Sequence, residues 1–431
     1  MMQPIQQVTR KKLGNGVNLT CVTTPKFKRA VLRAGLLLPL GGPDAALRAC
    51  LPQVLRRGTA KLPDLRAIGG ALDELYGARI ESAVRKEGES LCIGFLSDCI
   101  DEAYAPGADG LTAKVIRLLA DLLYDPYLQD GVFCPDYTAG EREGLIDLIA
   151  AQKNDPRSWA PKRLTELMCE NEPYGQSALG TIEQARKITE NKLYAAYRRA
   201  LDEAQIELFY CGALPPDAVE ALFAATPLVQ RRDGPLYQPQ TGIAAQPAGA
   251  PREVIEEEQV TQGKLSLGFR TGGHCLTGGD PAAYWMFQTI FGGSTSSKLF
   301  LNVRERKSLC YYASAQFISP KGIMMVNSGI ENKDFETARD EILRQLDACR
   351  AGDITDAEID AARKTLTTNW RAMLDDPLTL ERYWLGQAAA GTLVTPEERI
   401  AQVAAVTRGD IVAAAQATAL DTVYFMKGAA Q

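Results

Sequence analysis

GGSTSSKLFLNVRERKSLCYY, from Gly292 to Tyr312, holds the densest group of polar side chains with an evident chemical use in this chain. Its order predicts a tight turn, a short helix and then a strand. Gly292 and Gly293 let the backbone turn where side chains would clash, and Ser294 to Ser297 can cap a helix whose apolar side is Leu299, Phe300 and Val303. Arg304, Arg306 and Lys307 follow, and a basic helix end favours its own C-terminal dipole, so the local pattern leaves a purely structural reading open. Arg304 and Tyr311, seven residues apart, supply the other reading. A guanidinium and a phenol converging from a helix end and a strand can hold an extended peptide and polarise its carbonyl. GGSTSSK lacks the G-x-x-x-x-G-K-[ST] spacing of a phosphate loop, which sets that reading aside.

Around this stretch the composition narrows the classes. With 431 residues, 46% of them hydrophobic, the chain can bury substantial cores in two or more domains. A net charge of -5 argues against a nucleic-acid surface. No apolar run reaches membrane-spanning length, and MMQPIQQVTRKKLG lacks the apolar centre of a secretory signal, so a soluble cytoplasmic protein with no membrane partner is expected. The ten cysteines fall mostly inside apolar stretches without a C-x-x-C pair and read as reduced core residues.

A single histidine, His274, decides more than any percentage. A zinc site that needs two histidines cannot be built from one copy of this chain, and a histidine-based nucleophile triad would have to use His274. It sits in the turn-rich TGGHCLTGGD and reads as an ordinary loop residue.

Val17 to Val22 alternates as a strand, and Val31 to Leu40 reads as a buried one. Leu47, Leu51, Val54 and Leu55 then fall at helical spacing between Ala45 and Arg57, although Pro52 interrupts. Leu65 to Tyr76 and Leu111 to Tyr124 read as helices, and Ile80 to Cys99 as strands around the turn Lys86-Glu87-Gly88. In the second half come the strand Leu265, Leu267, Phe269, the helix Pro281 to Ile290, the strand Ile323 to Ser328, and helices Phe335 to Cys349 and Asp356 to Leu374. Tyr383 and Trp384 read as core.

The halves repeat. Asn154-Asp155-Pro156 returns as Asp375-Asp376-Pro377, Gly180-Thr181 as Gly391-Thr392, Ile188-Thr189 with Leu193 as Val406-Thr407 with Ile411, and IELFYCG as TVYFMKG, at separations of 221, 211, 218 and 216 residues. Two copies of one domain are therefore expected, residues 1–225 and 253–431, joined by a Pro-, Gln- and Ala-rich linker over 226–252.

The Gly292 stretch resembles the C-terminal half of the M16 metallopeptidases, the pitrilysin, insulinase and processing-peptidase family, and the likeness extends over nearly the whole chain. It implies an α+β fold: two homologous domains, each a mostly antiparallel sheet flanked by helices, facing across a cleft. Active members carry His-x-x-Glu-His on the first helix before a Gly-Thr, two histidines holding zinc and the glutamate acting as general base. Here those positions are Ala49, Cys50, Leu51, Pro52 and Gln53, ahead of Gly58-Thr59. The third ligand of the family, seven residues after an earlier glutamate, falls on Leu148 if EREGLIDLIAAQKNDP is aligned with Glu141 as that glutamate. LYGARIESAVRKEG adds a likeness to bacterial M16-like proteins associated with aminopentanol modification of elongation factor P.

The resemblance implies a catalytically inactive subunit that is no peptidase alone and binds no cofactor. Its expected partners are a zinc-bearing M16 chain, in a heterodimer, and a peptide gripped by Arg304 and Tyr311 beside the Gly292, Gly293 and Ser294 turn. The alternative is a non-hydrolytic peptide-binding scaffold, possible as a homodimer.

Overall fold

Eight strands form from the first half: β1 (Gln7–Gly14), β2 (Val17–Thr23), β3 (Arg29–Pro39), β4 (Arg79–Glu87), β5 (Ser90–Ile100), the short β6 (Leu128–Gln129) and β7 (Val132–Phe133), and β8 (Gln205–Gly212). They are seen in a computed structural model that describes residues 7–230, 234–277 and 280–428. Six make one sheet in the order β1-β2-β8-β3-β5-β4, antiparallel except for the β2–β8 pair. The second half contributes β9 (Arg252–Glu258), β10 (Gly263–Arg270), β11 (Cys310–Ile318), β12 (Ile323–Ile330) and β13 (Ala419–Gly428). These form a sheet in the order β11-β12-β10-β13-β9, with only the outer β9–β13 pair parallel.

Side-chain alternation shows why β3 reads as an unbroken apolar run. Ala30, Leu32, Ala34, Leu36 and Leu38 enter the main core of the first sheet, with Leu51 and Val54 of the helix Ala45–Leu55 and Val115 and Leu119 of the helix Leu111–Tyr124. The residues between them, Arg33 and Leu37 among them, point to the opposite face, which is buried too. The helix that covers it is Pro377–Ala389, from the far end of the chain: Leu385 packs on Leu37 and Cys92.

The compact units are therefore not contiguous halves. One comprises Met1–Ala150, Gln176–Gln240 and Asp376–Gly391; the other Ala151–Gly175, Thr241–Asp375 and Thr392–Gln431. In the second unit the helix Pro156–Met168 covers the sheet, its Ala160 and Leu164 packing with Met325, Tyr424 and Met426. The two exchanged helices are the repeat-related segments that follow Asp155 and Asp376. Each of these aspartates caps its helix and is followed by proline at the first helical position. A repeat read along the sequence matches segments to segments and carries no information on which sheet a segment covers, so the expected 1–225 and 253–431 differ from the units by one helix each way.

The expected linker also differs from its composition. Leu228 is fully buried in the first unit's core, and Tyr237 shares a hydrogen bond of 2.9 Å with Ser90, while positions 231–233 lie outside the described residues. Trp384 is core, as its sequence suggests, but in the first unit. Among the described residues no helix is long and apolar enough to cross a membrane.

Where Pro377–Ala389 docks, the buried layer is ionic. Arg33 donates from Nη1 to Glu381 Oε1 at 2.5 Å, and Arg85 from Nη1 to Glu381 Oε2 at 2.6 Å. Arg33 also reaches Cys92 Sγ at 3.2 Å. Glu87 belongs to the same cluster, and burial pushes its carboxyl up to about 7, with Arg33 and Arg85 pulling down, Glu381 pushing up and Arg382 pulling down. Its unfolded value lies near 4.5, so between the two the folded state binds the extra proton and stability falls as pH rises. Glu87→Gln is expected to flatten this part of the profile, measured as urea midpoints between about pH 5 and about pH 7.5. An unaltered pH slope would remove Glu87 from the account.

Candidate peptide groove

Glycine at 292 is a matter of close approach. The helix Ala282–Gly292 ends against β11, the edge strand of the second sheet, and a Cβ on Gly292 would stand 2.7 Å from Ala315 N. A Cβ on Gly293 would stand 2.8 Å from Thr289 Cα. Gln288, one turn earlier, donates to Ala315 O at 2.6 Å and so covers part of the strand's open edge. Ser294 is half-buried with its hydroxyl 3.1 Å from Ser296, and the capping hydroxyl is that of Ser297, 3.4 Å from Phe300 N.

The expected short helix winds over Phe300–Arg306 as a π-helix, with Leu299 and Val303 buried. Its end is closed by Ser308, at a φ of 51°, with Ser308 N donating to Arg304 O and Leu309 N to Val303 O. A left-handed serine here places conformational strain between Arg304 and Tyr311.

Tyr311 is turned outward by a bulge. In β11 the side chains of Ala313, Ala315 and Phe317 point into the core, and an even alternation would send Tyr311 after them. The register with β12 slips between Cys310 and Tyr312, so Cys310 fills the core position and Tyr311 stands 67% exposed. Arg304 and Tyr311 thereby line one open groove of about 420 Å³, with Glu305, Ser308, Leu309 and Glu331. Gly292, Gly293 and Ser294 are not among its lining residues.

The basic run divides between structure and site. Lys307 pairs with the buried Glu341 at 2.7 Å; burial pushes that carboxyl up, but Arg344, Lys307 and Gln345 together hold it down at about 2. Arg306 donates to Asn302 Oδ1 at 3.0 Å. Arg304 stacks on Phe300 at 4.7 Å, and its ion pair among the described residues is a long one of 3.6 Å with Glu305. Ser308 and Glu331 are groove residues that sequence reading missed; neither a left-handed serine nor a strand-end glutamate leaves a pattern in the sequence.

In the first unit the family's zinc positions hold other chemistry. On the helix Ala45–Leu55, Ala49 and Pro52 are buried and Gln53 is exposed. Leu148, on the helix Pro135–Ala151, is 52% exposed. The two helices do meet: Arg57, just past the first, donates to Glu141 on the second at 2.6 Å. Burial, then Glu141, pushes the Cys50 thiol up to about 12, away from the thiolate that binds metal. Among the described residues no group of three or more His, Cys, Asp or Glu side chains could hold a metal ion. A methyl group, a proline ring, a carboxamide and an isobutyl group do not fit zinc. His274 sits exposed in its turn, its ring 5.2 Å from that of Tyr284.

Two helix-flanked sheets with zinc positions that cannot ligate describe an inactive metallopeptidase-like protein, and comparison with known proteins agrees. Residues 187–366 match the peptidase M16 inactive domain. The chain is 35% identical over 418 residues to the probable inactive metalloprotease YmfF of Bacillus subtilis strain 168, covering 97% of each chain. Among solved structures, a conserved protein of Enterococcus faecalis V583 superposes with a TM-score of 0.87 at 26% identity, covering 98% of this chain and 99% of that one. The peptidase M16 inactive domain from Pseudomonas fluorescens shares the fold, with a TM-score of 0.78 at 16% identity over 99% and 98% of the two chains. The chain belongs to the M16 peptidase family, as an inactive, peptidase-like member.

Proposed function

We propose that this chain is the non-catalytic subunit of an M16 heterodimer in the cytoplasm, pairing with a zinc-bearing M16 chain and gripping an extended peptide through Arg304 and Tyr311. The observation that carries the reading is the bulge at Tyr311. A pure scaffold has no need to turn a phenol out of phase with its strand and into the groove that Arg304 lines. The guanidinium supplies charge-assisted donors to a peptide carbonyl, and the phenol a neutral donor beside it. Ala49, Pro52, Gln53 and Leu148 leave this chain without the ligands for its own metal.

The isolated protein is expected to hold no stoichiometric zinc when its metal content is measured after dialysis. One tightly bound equivalent per chain would overturn the subunit assignment. Mixing it with a zinc-bearing M16 partner is expected to produce peptide cleavage that neither chain shows alone. Equal cleavage by the partner with and without this chain would refute the pairing.

A further inference from the structure

Lys264 of β10 pairs with Gly329 of β12, and Gly329 in turn with Tyr312 of β11, so the three form one row across the end of the second sheet. Glycine at 329 keeps that row low: a Cβ there would stand 2.7 Å from Tyr312 Cε1 and 2.9 Å from Gln262 Oε1. The Tyr312 ring lies in the space so left. Arg157, in the first turn of the helix Pro156–Met168, stacks on that ring at 4.5 Å. Arg157 and Lys264 thus reach one surface groove of about 390 Å³, whose lining includes Asp155, Gln259, Thr261 and Gln262.

The charges in this groove do not balance. Lys264 Nζ donates to Gln262 Oε1 at 2.7 Å, and among the described residues neither Lys264 nor Arg157 has a carboxylate within ion-pair distance. Asp155 is occupied as the helix cap, accepting from Arg157 N at 3.1 Å and from the Ser158 hydroxyl at 2.5 Å. Burial, and then the charge of Arg157, hold the Lys264 ammonium below the usual lysine range, with Asp155 acting the other way. Two cations against one carboxylate leave a surplus of one positive charge in a groove that also offers amide and hydroxyl groups. That surplus matches a singly charged carboxylate better than a doubly charged phosphate.

The geometry points to this groove as a carboxylate-binding site, in which Arg157 and Lys264 take the C-terminal carboxylate or an Asp or Glu side chain of a peptide ligand. The peptide rests on the function proposed above; the preference for a carboxylate rests on the groove alone. Tyr312 and Tyr311 are neighbours in sequence, so the carboxylate site and the Arg304 groove flank the same strand end.

Two measurements on the full chain separate these layers. In the first, fluorescein-labelled peptides carrying a glutamate or a free C-terminus are titrated beside versions with glutamine or an amidated end. The acidic forms are expected to bind about tenfold more tightly, as hydrogen bonds to a charged group imply. Whichever amide replacement removes the gain identifies the source of the carboxylate. Arg157→Gln and Lys264→Met are expected to abolish the difference, while Arg304→Ala weakens acidic and amide forms alike. In the second, N-acetylglycine, which carries one carboxylate, is added to protein with ¹³C-methylated lysines, and the Lys264 resonance, assigned by its loss in Lys264→Met, is expected to titrate at higher pH in the parent protein but not in Arg157→Gln. Equal binding of acidic and amide peptides, with Lys264 unmoved by N-acetylglycine, overturns the carboxylate site and leaves the peptide reading standing. A Lys264 response without binding of any peptide supports the site and removes the peptide reading.

Discussion

Glu381→Ala is expected to destabilise the fold by about 3–5 kcal/mol, the usual consequence of removing one partner from a buried ion pair. Glu381 is 0% exposed and is the carboxylate to which both Arg33 and Arg85 donate. Arg85 reaches partly into solvent and can find water when Glu381 is lost, whereas Arg33 is buried and would be left with a weak thiol acceptor. Against a total stability of about 5–15 kcal/mol, such a loss is large. Urea unfolding of the variant checks it, and a change under about 1 kcal/mol would show that water already reaches the pair. Replacing both partners, Arg33→Met with Glu381→Leu, is expected to recover most of the loss, because an apolar pair has no stranded charge. The site of damage is the docking of Pro377–Ala389, so Trp384 fluorescence should report it.

Arg304→Ala and Tyr311→Phe should each lower cleavage by the reconstituted heterodimer by about 10² to 10³, the cost of losing one donor to a developing oxyanion. Both side chains are exposed, and neither substitution touches the core beneath the bulge, so melting temperatures should stay near those of the parent chain. The split between the kinetic constants separates two roles. A grip on the bound peptide alone raises KM and spares kcat, while support of the transition state lowers kcat. Full activity in both variants would favour a scaffold with no part in hydrolysis.

Much of this was legible in the sequence because it rests on local rules. The apolar phase of β2 and β10 and the amphipathic helix Leu111–Tyr124 follow from period. Arg304 and Tyr311 line one groove, an arrangement that a turn, a helix and a strand in this order allow. What was hidden depends on partners far along the chain. Arg33 looks like an intruder in an apolar strand until Glu381 is placed over it, 348 residues away. Likewise Lys307 looks equal to Arg304 until Glu341 claims it, and the bulge that turns Tyr311 outward is set by the register with β12. The edge strand β9, REVIEEE, carries too many glutamates to read as a strand, since its outer side faces no neighbour in the sheet.

The exchange of helices sets an order on how this chain can be made. During synthesis the outer face of β3, with Leu37 and Cys92 nearby, emerges within the first hundred residues, yet its cover arrives only with Asp376–Gly391. For most of translation the nascent first sheet must wait with an apolar and charged face uncovered, the kind of surface that chaperones hold and that aggregates when they do not. A ribosome that stalls after the linker would release a first sheet without its cover Pro377–Ala389 and a helix, Pro156–Met168, without the sheet it covers, so quality control has a defect to recognise well before the last residue is added.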